Sequence, residues 1–167
     1  LYETNVGAGL PVINTLQGLI ASGDRFEKIE GVLSGTLSFI FNQFVPGKSF
    51  MEVVKQAKEK GYTEPDPRLD LSGTDVMRKI LILAREAGEK IDMSEVQNRS
   101  FMPDACMKGT IEDFYAAMEA HEPHFKSLYE KASQEGKKLK FVASFENGRA
   151  SVGLQAIEAT SDLFHLY

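Results

Sequence analysis

Apolar residues in the first half of the chain recur every three or four positions, a spacing that predicts helices. Such stripes run from Leu10 to Ser22 and from Leu37 to Val45. A capping-box pattern at Ser49 opens a third helix, and a fourth is expected from about Leu71 to Ala87. The segment from Arg25 to Leu33, between the first two helices, fits a strand better.

The second half of the chain combines strand and helix patterns. Apolar and polar residues alternate on both sides of Asn147–Gly148, which is a strong hairpin pattern. Before it, Val96–Phe101 fits a short strand, and a capping box at Thr110 opens two helices separated near Pro123. We therefore expect one α+β domain over residues 1–167.

Composition and charge narrow the classes of protein. Of the 167 residues, 43% are hydrophobic and 26% charged, as in globular rather than disordered chains. The net charge of −5 argues against nucleic acid as a partner, and no apolar run is long enough to span a membrane. The lone Cys106 excludes an intrachain disulfide and a cysteine-rich zinc site. We expect a cytoplasmic protein, and the start at Leu1 without Met leads us to expect a piece of a longer chain.

Three clusters of glycine and polar residues lie where predicted helices begin. The first contains Gly7–Ala8–Gly9, which starts like a dinucleotide-binding fingerprint, but Val12 replaces the third glycine and no βαβ unit precedes it. It is either a glycine turn or backbone that lines a site. In the second cluster, free amides of Gly35 and Thr36 at a helix start would hold an anion, while capping by Ser34 explains the same residues structurally.

The third cluster, from Gly61 to Lys79, offers the most chemistry. Glu64 precedes a proline, so its loop is stiff and loses little entropy on binding a cation. Asp75 and Lys79 are four residues apart and share one helix face. Structurally, they form an ion pair behind a capping-box-like Ser72-x-x-Asp75 start.

The functional alternative for this cluster is a partly desolvated Lys79 steadied by Asp75. It would face a pocket edged by Glu64, Tyr62 and Asp70 and exchange a proton with a hydroxyl or carbonyl oxygen. Elsewhere, His121 and His124 flank a helix break without further metal ligands, so we expect them to be structural.

The motifs in the first half of the chain resemble those of one enzyme family. The run from Gly61 to Arg68, continued by Asp70–Asp75 and Lys79, resembles the signature of homoserine dehydrogenases. Asn5–Pro11 and Gly31–Ser38 resemble the same family, and the first segment is most similar to bifunctional aspartokinase–homoserine dehydrogenases. The match is close over about the first ninety residues and looser, though collinear, beyond them.

This resemblance implies a fold, a reaction and roles for individual residues. The fold would be a mixed β-sheet covered by helices, and the reaction the NAD- or NADP-dependent interconversion of L-homoserine and L-aspartate 4-semialdehyde. Lys79 would donate and accept the proton, and Glu64 and Asp75 would bind and orient the substrate. The remaining pocket residues implied by the family are Gly35, Thr36, Tyr62 and Asp70.

The resemblance also implies a cation, a partner and a missing part. A monovalent cation, Na⁺ or K⁺, would be bound mainly through backbone carbonyls of Glu3, Val6, Ala8 and Leu10. A homodimer would form through the sheet. Leu69 replaces an acidic residue of the family pattern, for which we expect a small effect.

The family's N-terminal Rossmann domain, with a second lysine, and its C-terminal return segment have no counterpart in this sequence. We therefore expect the isolated chain to be inactive. The alternative is a non-catalytic oligomerisation or amino-acid-sensing module that has kept the same fold.

Overall fold

The computed structural model describes residues 3–166 of the chain. Its α-helices are α1 (Thr4–Gly7), α2 (Val12–Ala21), α3 (Gly35–Gln43), α4 (Phe50–Glu59), α5 (Arg68–Leu71), α6 (Thr74–Glu86), α7 (Ile111–Ala120) and α8 (Glu122–Gln134). Its strands are β1 (Lys28–Gly31), β2 (Gln97–Arg99), β3 (Lys138–Glu146) and β4 (Arg149–Ile157). Short 3₁₀ helices cover Met93–Glu95, Asp104–Met107 and Asp162–His165.

The four strands form one mixed sheet in the order β1-β3-β4-β2. β1 and β4 flank β3 in antiparallel orientation, and β2 pairs with β4 in parallel orientation. The β3–β4 hairpin turns at Asn147 and Gly148, both at positive φ, as a tight two-residue hairpin turn requires. These observations confirm the predicted hairpin and the α+β class.

The helices cover one face of the sheet and enclose the core. Phe141 and Phe145 on β3 point into it, in the alternation that the sequence predicts. Phe50 of α4 and Phe125 of α8 are stacked with ring centroids 4.2 Å apart. The two central strands therefore form the floor on which α3, α6 and α8 pack.

The helix expected from about Leu71 to Ala87 forms as α6, but it begins three residues later, at Thr74, because Gly73 interrupts the helical backbone between α5 and α6. Gly73 adopts a left-handed conformation with φ 72°, and a Cβ atom there would lie 2.6 Å from Cζ of Phe141. A side chain at this position would meet the sheet, so the junction uses glycine. The capping box expected at Ser72 is also absent: Ser72 Oγ accepts from the Thr74 amide, and Gly73 holds the cap position without a side-chain bond.

Other boundaries differ from the sequence prediction by a few residues. β1 begins only at Lys28, since its partner β3 ends at Glu146, where the hairpin turns. α3 ends at Gln43 rather than Val45, because Pro46 disfavours helical backbone in the residue before it. The strand expected at Val96–Phe101 is limited to the three residues of β2.

The predicted caps at Ser49 and Thr110 both form complete capping boxes. The break near Pro123 lies at His121, with Pro123 in the first turn of α8. None of the helices within residues 3–166 is long and apolar enough to cross a membrane.

Candidate functional site

Helix α6 presents Asp75 and Lys79 on one face. Lys79 Nζ lies 2.8 Å from Asp75 Oδ2 and donates to the carbonyl oxygen of Leu33 at 2.9 Å. The Lys79 side chain is 21% exposed and that of Asp75 is 62% exposed. The Lys79 side chain is therefore mostly enclosed and its ammonium makes two contacts, while the Asp75 side chain is exposed.

The start of α3 lies directly beyond Leu33. The Ser34 hydroxyl caps this helix by accepting from the Leu37 amide at 3.1 Å, as the structural alternative predicted. Helix geometry leaves the first amides, those of Gly35 and Thr36, without an intrahelical acceptor, so capping and anion binding are compatible. The hydroxyl of Thr36 donates to the Tyr62 carbonyl and joins α3 to the loop after α4.

Two shallow depressions lie at these elements. One, of about 340 Å³, is lined by Gly35, Thr36, Phe39 and Tyr62. The other, of about 370 Å³, is lined by Glu64, Leu69, Asp70, Ser72, Thr74, Asp75 and Arg78. In the second, the Glu64 amide donates to Asp70 Oδ2 at 2.9 Å, which fixes the loop against α5.

The structure brings the sequence-predicted residues together in part. Each depression contains a subset of them, and Lys79 lines neither. The two residues that contact Lys79 connect it to both depressions. Asp75 lines the acidic depression, and Leu33 lies two residues before Gly35, which lines the other. Lys79 thus lies between an acidic depression and a helix N-terminus.

Sequence reasoning missed several lining residues. Arg78 follows Asp75 by three positions, so helical spacing could have placed it on the same face. Thr74 lines the acidic depression because α6 begins there, directly after Gly73. A helix expected to start near Leu71 gave no sign of this. Phe39 packs edge-on against Tyr62, with ring centroids 5.0 Å apart, and both line the first depression.

The predicted cation residues lie in and after α1. The Glu3 carboxylate accepts from the amides of Ile13 and Asn14 at 2.7 and 2.9 Å, so it caps α2. The Leu10 carbonyl accepts from the Val12 amide at 2.8 Å. For two of the four expected ligand residues, the Glu3 carboxylate and the Leu10 carbonyl therefore already accept hydrogen bonds from nearby main-chain amides.

The dinucleotide-binding fingerprint has no counterpart in residues 3–166. Gly7–Ala8–Gly9 lies between two helices rather than after a strand, and the only parallel pair of described strands is β2–β4. A dinucleotide fingerprint needs a glycine turn between a parallel strand and a helix. No such fingerprint occurs among the described residues.

A larger groove of about 640 Å³ runs between α8 and the segment 99–103, and none of the predicted site residues lines it. His121 and His124 border this groove, yet one ring nitrogen of each is bonded to a main-chain carbonyl. No cluster of metal-ligating side chains occurs among residues 3–166. Cys106 is fully buried, and burial raises the pKa of its thiol, so it is a packed core residue.

Comparisons with known proteins agree with these motifs. The family model described as homoserine dehydrogenase matches residues 11–167. The bifunctional aspartokinase/homoserine dehydrogenase of Haemophilus influenzae is 47% identical, over 98% of this chain and 20% of its own length. The homoserine dehydrogenase of Schizosaccharomyces pombe is 44% identical, over 99% of this chain and 46% of its own.

Solved structures share the fold. A Candida auris protein of unknown function superposes with a TM-score of 0.91 at 36% identity, covering 99% of this chain and 48% of that one. A putative homoserine dehydrogenase from Archaeoglobus fulgidus reaches a TM-score of 0.70 at 22% identity, covering 98% of this chain and 45% of that one. The chain thus spans between a fifth and a half of these relatives.

Proposed function

Since the chain belongs to the homoserine dehydrogenase family, we propose that it is the substrate-binding half of an enzyme that interconverts L-homoserine and L-aspartate 4-semialdehyde with NAD or NADP. The observation that carries this proposal is the placement of Lys79. Its ammonium is held between Asp75 and the carbonyl of Leu33, which lies between β1 and α3.

The two sides of Lys79 suit the two charged groups of an amino acid. The acidic depression, with Glu64, Asp70 and Asp75, supplies carboxylates for an ammonium group. The N-terminus of α3, at Gly35 and Thr36, supplies amides for a carboxylate. A zwitterionic substrate bound across both would bring its side-chain oxygen towards Lys79.

At that oxygen, Lys79 holds and exchanges the proton. As an ammonium it donates to the aldehyde oxygen, and as a neutral amine it accepts the hydroxyl proton in the reverse direction. The Leu33 carbonyl accepts one of its hydrogens and Asp75 lies beside it. Both contacts limit the rotamers of a long side chain and aim the remaining donor position.

The dinucleotide would be bound by another part of the polypeptide, since residues 3–166 contain no fingerprint for it. The isolated 167-residue chain should therefore show no turnover with homoserine and NADP⁺. Measurable turnover by this chain alone would contradict the proposal.

We further propose a cytoplasmic homodimer formed through the sheet, in a polypeptide that also carries an aspartokinase unit. On the face of the sheet opposite Phe141 and Phe145, Glu30, Ser144 and Ser151 lie side by side across three strands. Two of them are small, which permits a second sheet to approach.

A monovalent cation would bind to main-chain oxygens near Val6 and Ala8, since the Glu3 carboxylate caps α2.

The test uses the full-length polypeptide, assayed with L-homoserine and either NAD⁺ or NADP⁺. Lys79→Ala should lower kcat by about 10²–10⁴ and leave the melting temperature nearly unchanged, because its partner Asp75 is exposed. Lys137→Ala is the matched control: it removes a similar 2.8 Å ion pair, with Glu135, away from the site.

Two results would contradict the catalytic role. If Lys79→Ala mainly lowers stability, the Asp75–Lys79 pair is structural. If the wild-type polypeptide binds homoserine, seen as NMR shifts at Thr36 and Glu64, without any turnover, the chain is an amino-acid-sensing module instead.

A further inference from the structure

The loop between α4 and α5 carries Glu64, and an ion pair inside it fixes its shape. Arg68 Nε lies 2.9 and 3.0 Å from the two carboxylate oxygens of Asp66, and Nη2 lies 2.6 Å from Oδ2. The Arg68 amide also donates to Asp66 Oδ1 at 3.0 Å. The Arg68 side chain is only 16% exposed, so this is a sheltered, two-oxygen contact of the stronger kind.

Arg68 also ties this loop to a distant part of the chain. Its Nη1 donates to the Gly109 carbonyl at 2.8 Å, and the guanidinium lies 5.9 Å from the ring centre of Phe114. Gly109 lies directly before Thr110, whose capping box with Asp113 orders the start of α7. The arginine therefore spans from the site loop to a rigid helix start.

The loop between α4 and α5, which carries Glu64, needs a contact that fixes its position relative to α6. Proline restricts backbone dihedrals within the loop, but it does not fix where the loop lies relative to α6. Helix α5 has four residues, too few to be stable alone. Arg68 is the first residue of this helix, and Asp66 precedes Arg68 by two positions. Asp70 follows Arg68 by two positions and accepts a hydrogen bond from the Glu64 amide.

We propose that Arg68 is a positioning residue, which holds Glu64 and Asp70 at the correct distance from Lys79 by joining Asp66 to the Gly109 carbonyl. This inference rests on the proposed function and specifies how its substrate pocket is built. A displacement of about 1 Å in a positioned group costs up to about 10²-fold in rate. We expect the loss to fall on homoserine and not on the dinucleotide, because Glu64 and Asp70 line the acidic depression proposed for the substrate ammonium.

The experiment compares Arg68→Met, Arg68→Lys and a matched control, Arg85→Met, in the full-length polypeptide. Arg85 makes contacts of the same kind at the other end of α6: Nε donates to the Ile91 carbonyl at 2.9 Å, and Nη2 lies 3.1 Å from Asp92 Oδ1. Steady-state kinetics with each substrate varied, unfolding temperature, and hydrogen exchange of the Glu64 amide are measured for every variant.

We expect Arg68→Met to raise KM for homoserine at least about tenfold, with KM for NADP⁺ unchanged and faster exchange at the Glu64 amide. Arg68→Lys should recover part of the homoserine KM, because an ammonium can keep the Asp66 contact but lacks the planar fork that reaches Gly109 as well. Arg85→Met should change neither KM.

Three outcomes overturn the inference. If Arg68→Met lowers the unfolding temperature but leaves the homoserine KM and the Glu64 exchange unchanged, Arg68 is only structural. Equal effects of Arg68→Met and Arg85→Met on KM would show a general loss of stability. A wild-type polypeptide without homoserine dehydrogenase activity overturns the proposed function, and the positioning role with it.

Discussion

Gly73→Ala tests how the sheet fixes the start of α6. Two costs can be separated. The first is conformational: Gly73 has φ 72°, and an alanine in left-handed backbone costs about 1–2 kcal/mol. The second is steric: the new Cβ would lie 2.6 Å from Cζ and 3.1 Å from Cε1 of the buried Phe141. Overpacking of this kind costs about 1–3 kcal/mol, so the free energy of unfolding should fall by about 2–5 kcal/mol in total.

Gly61→Ala is the matched control for this prediction. Gly61 also has φ 72°, and a Cβ there meets nothing within 4 Å, so only the conformational cost of about 1–2 kcal/mol applies. Urea unfolding of both variants and the wild type gives the two values on the same scale. The difference between them measures the contact with Phe141.

A double variant adds a second check. Phe141→Leu shortens the side chain that the new methyl group would meet, so Gly73→Ala in that background should cost about as much as Gly61→Ala. If Gly73→Ala and Gly61→Ala lower the free energy of unfolding equally in the wild-type background, the close approach of Phe141 does not restrict this junction, and our account of the helix break is wrong.

Two further predictions concern single carboxylates. Glu3→Ala removes the cap of α2 and should lower the free energy of unfolding by about 1 kcal/mol, whereas Glu27→Ala, at an exposed position, should change it little. The Arg68 hydrogen bonds hold the pKa of Asp66 below its ordinary value, so its stabilisation is present above the unfolded pKa of about 3.9 and is lost as pH falls through the folded value. Asp66→Asn should therefore lower stability at neutral pH, and its difference from the wild type should shrink in acid unfolding curves below about pH 4.

Local patterns predicted most elements of this fold, and the clearest failure, the start of α6, depends on residues that are distant in the sequence. The hairpin at Asn147–Gly148 and the capping box at Ser49 depend on residues a few positions apart, so the sequence alone was sufficient. The break at Gly73 depends on Phe141, which is distant in the chain and close in space. The amide of Phe50 is likewise paired with the carboxylate of Glu122 at 3.0 Å, a contact that no local pattern encodes.

The site shows the same division. The i,i+4 pair of Asp75 and Lys79 follows from helix geometry and forms as expected. The contact between Lys79 and the Leu33 carbonyl does not, because it depends on how α6 packs against the segment between β1 and α3. Helical spacing indicated which side chains share a face, and tertiary packing decided which of them enclose the lysine.

The strand order has a consequence for synthesis on the ribosome. β1 is completed by β3, and the helices that carry Thr36 and Lys79 both pack on β3, which follows both helices in the sequence and is synthesised after them. The apolar faces of α3 and α6 therefore have no sheet to pack against until the β3–β4 hairpin emerges from the ribosome. Contacts so distant in the chain form slowly and leave apolar surface exposed during translation. In the nascent chain, the residues of the pocket exist early, whereas the pocket itself is assembled late.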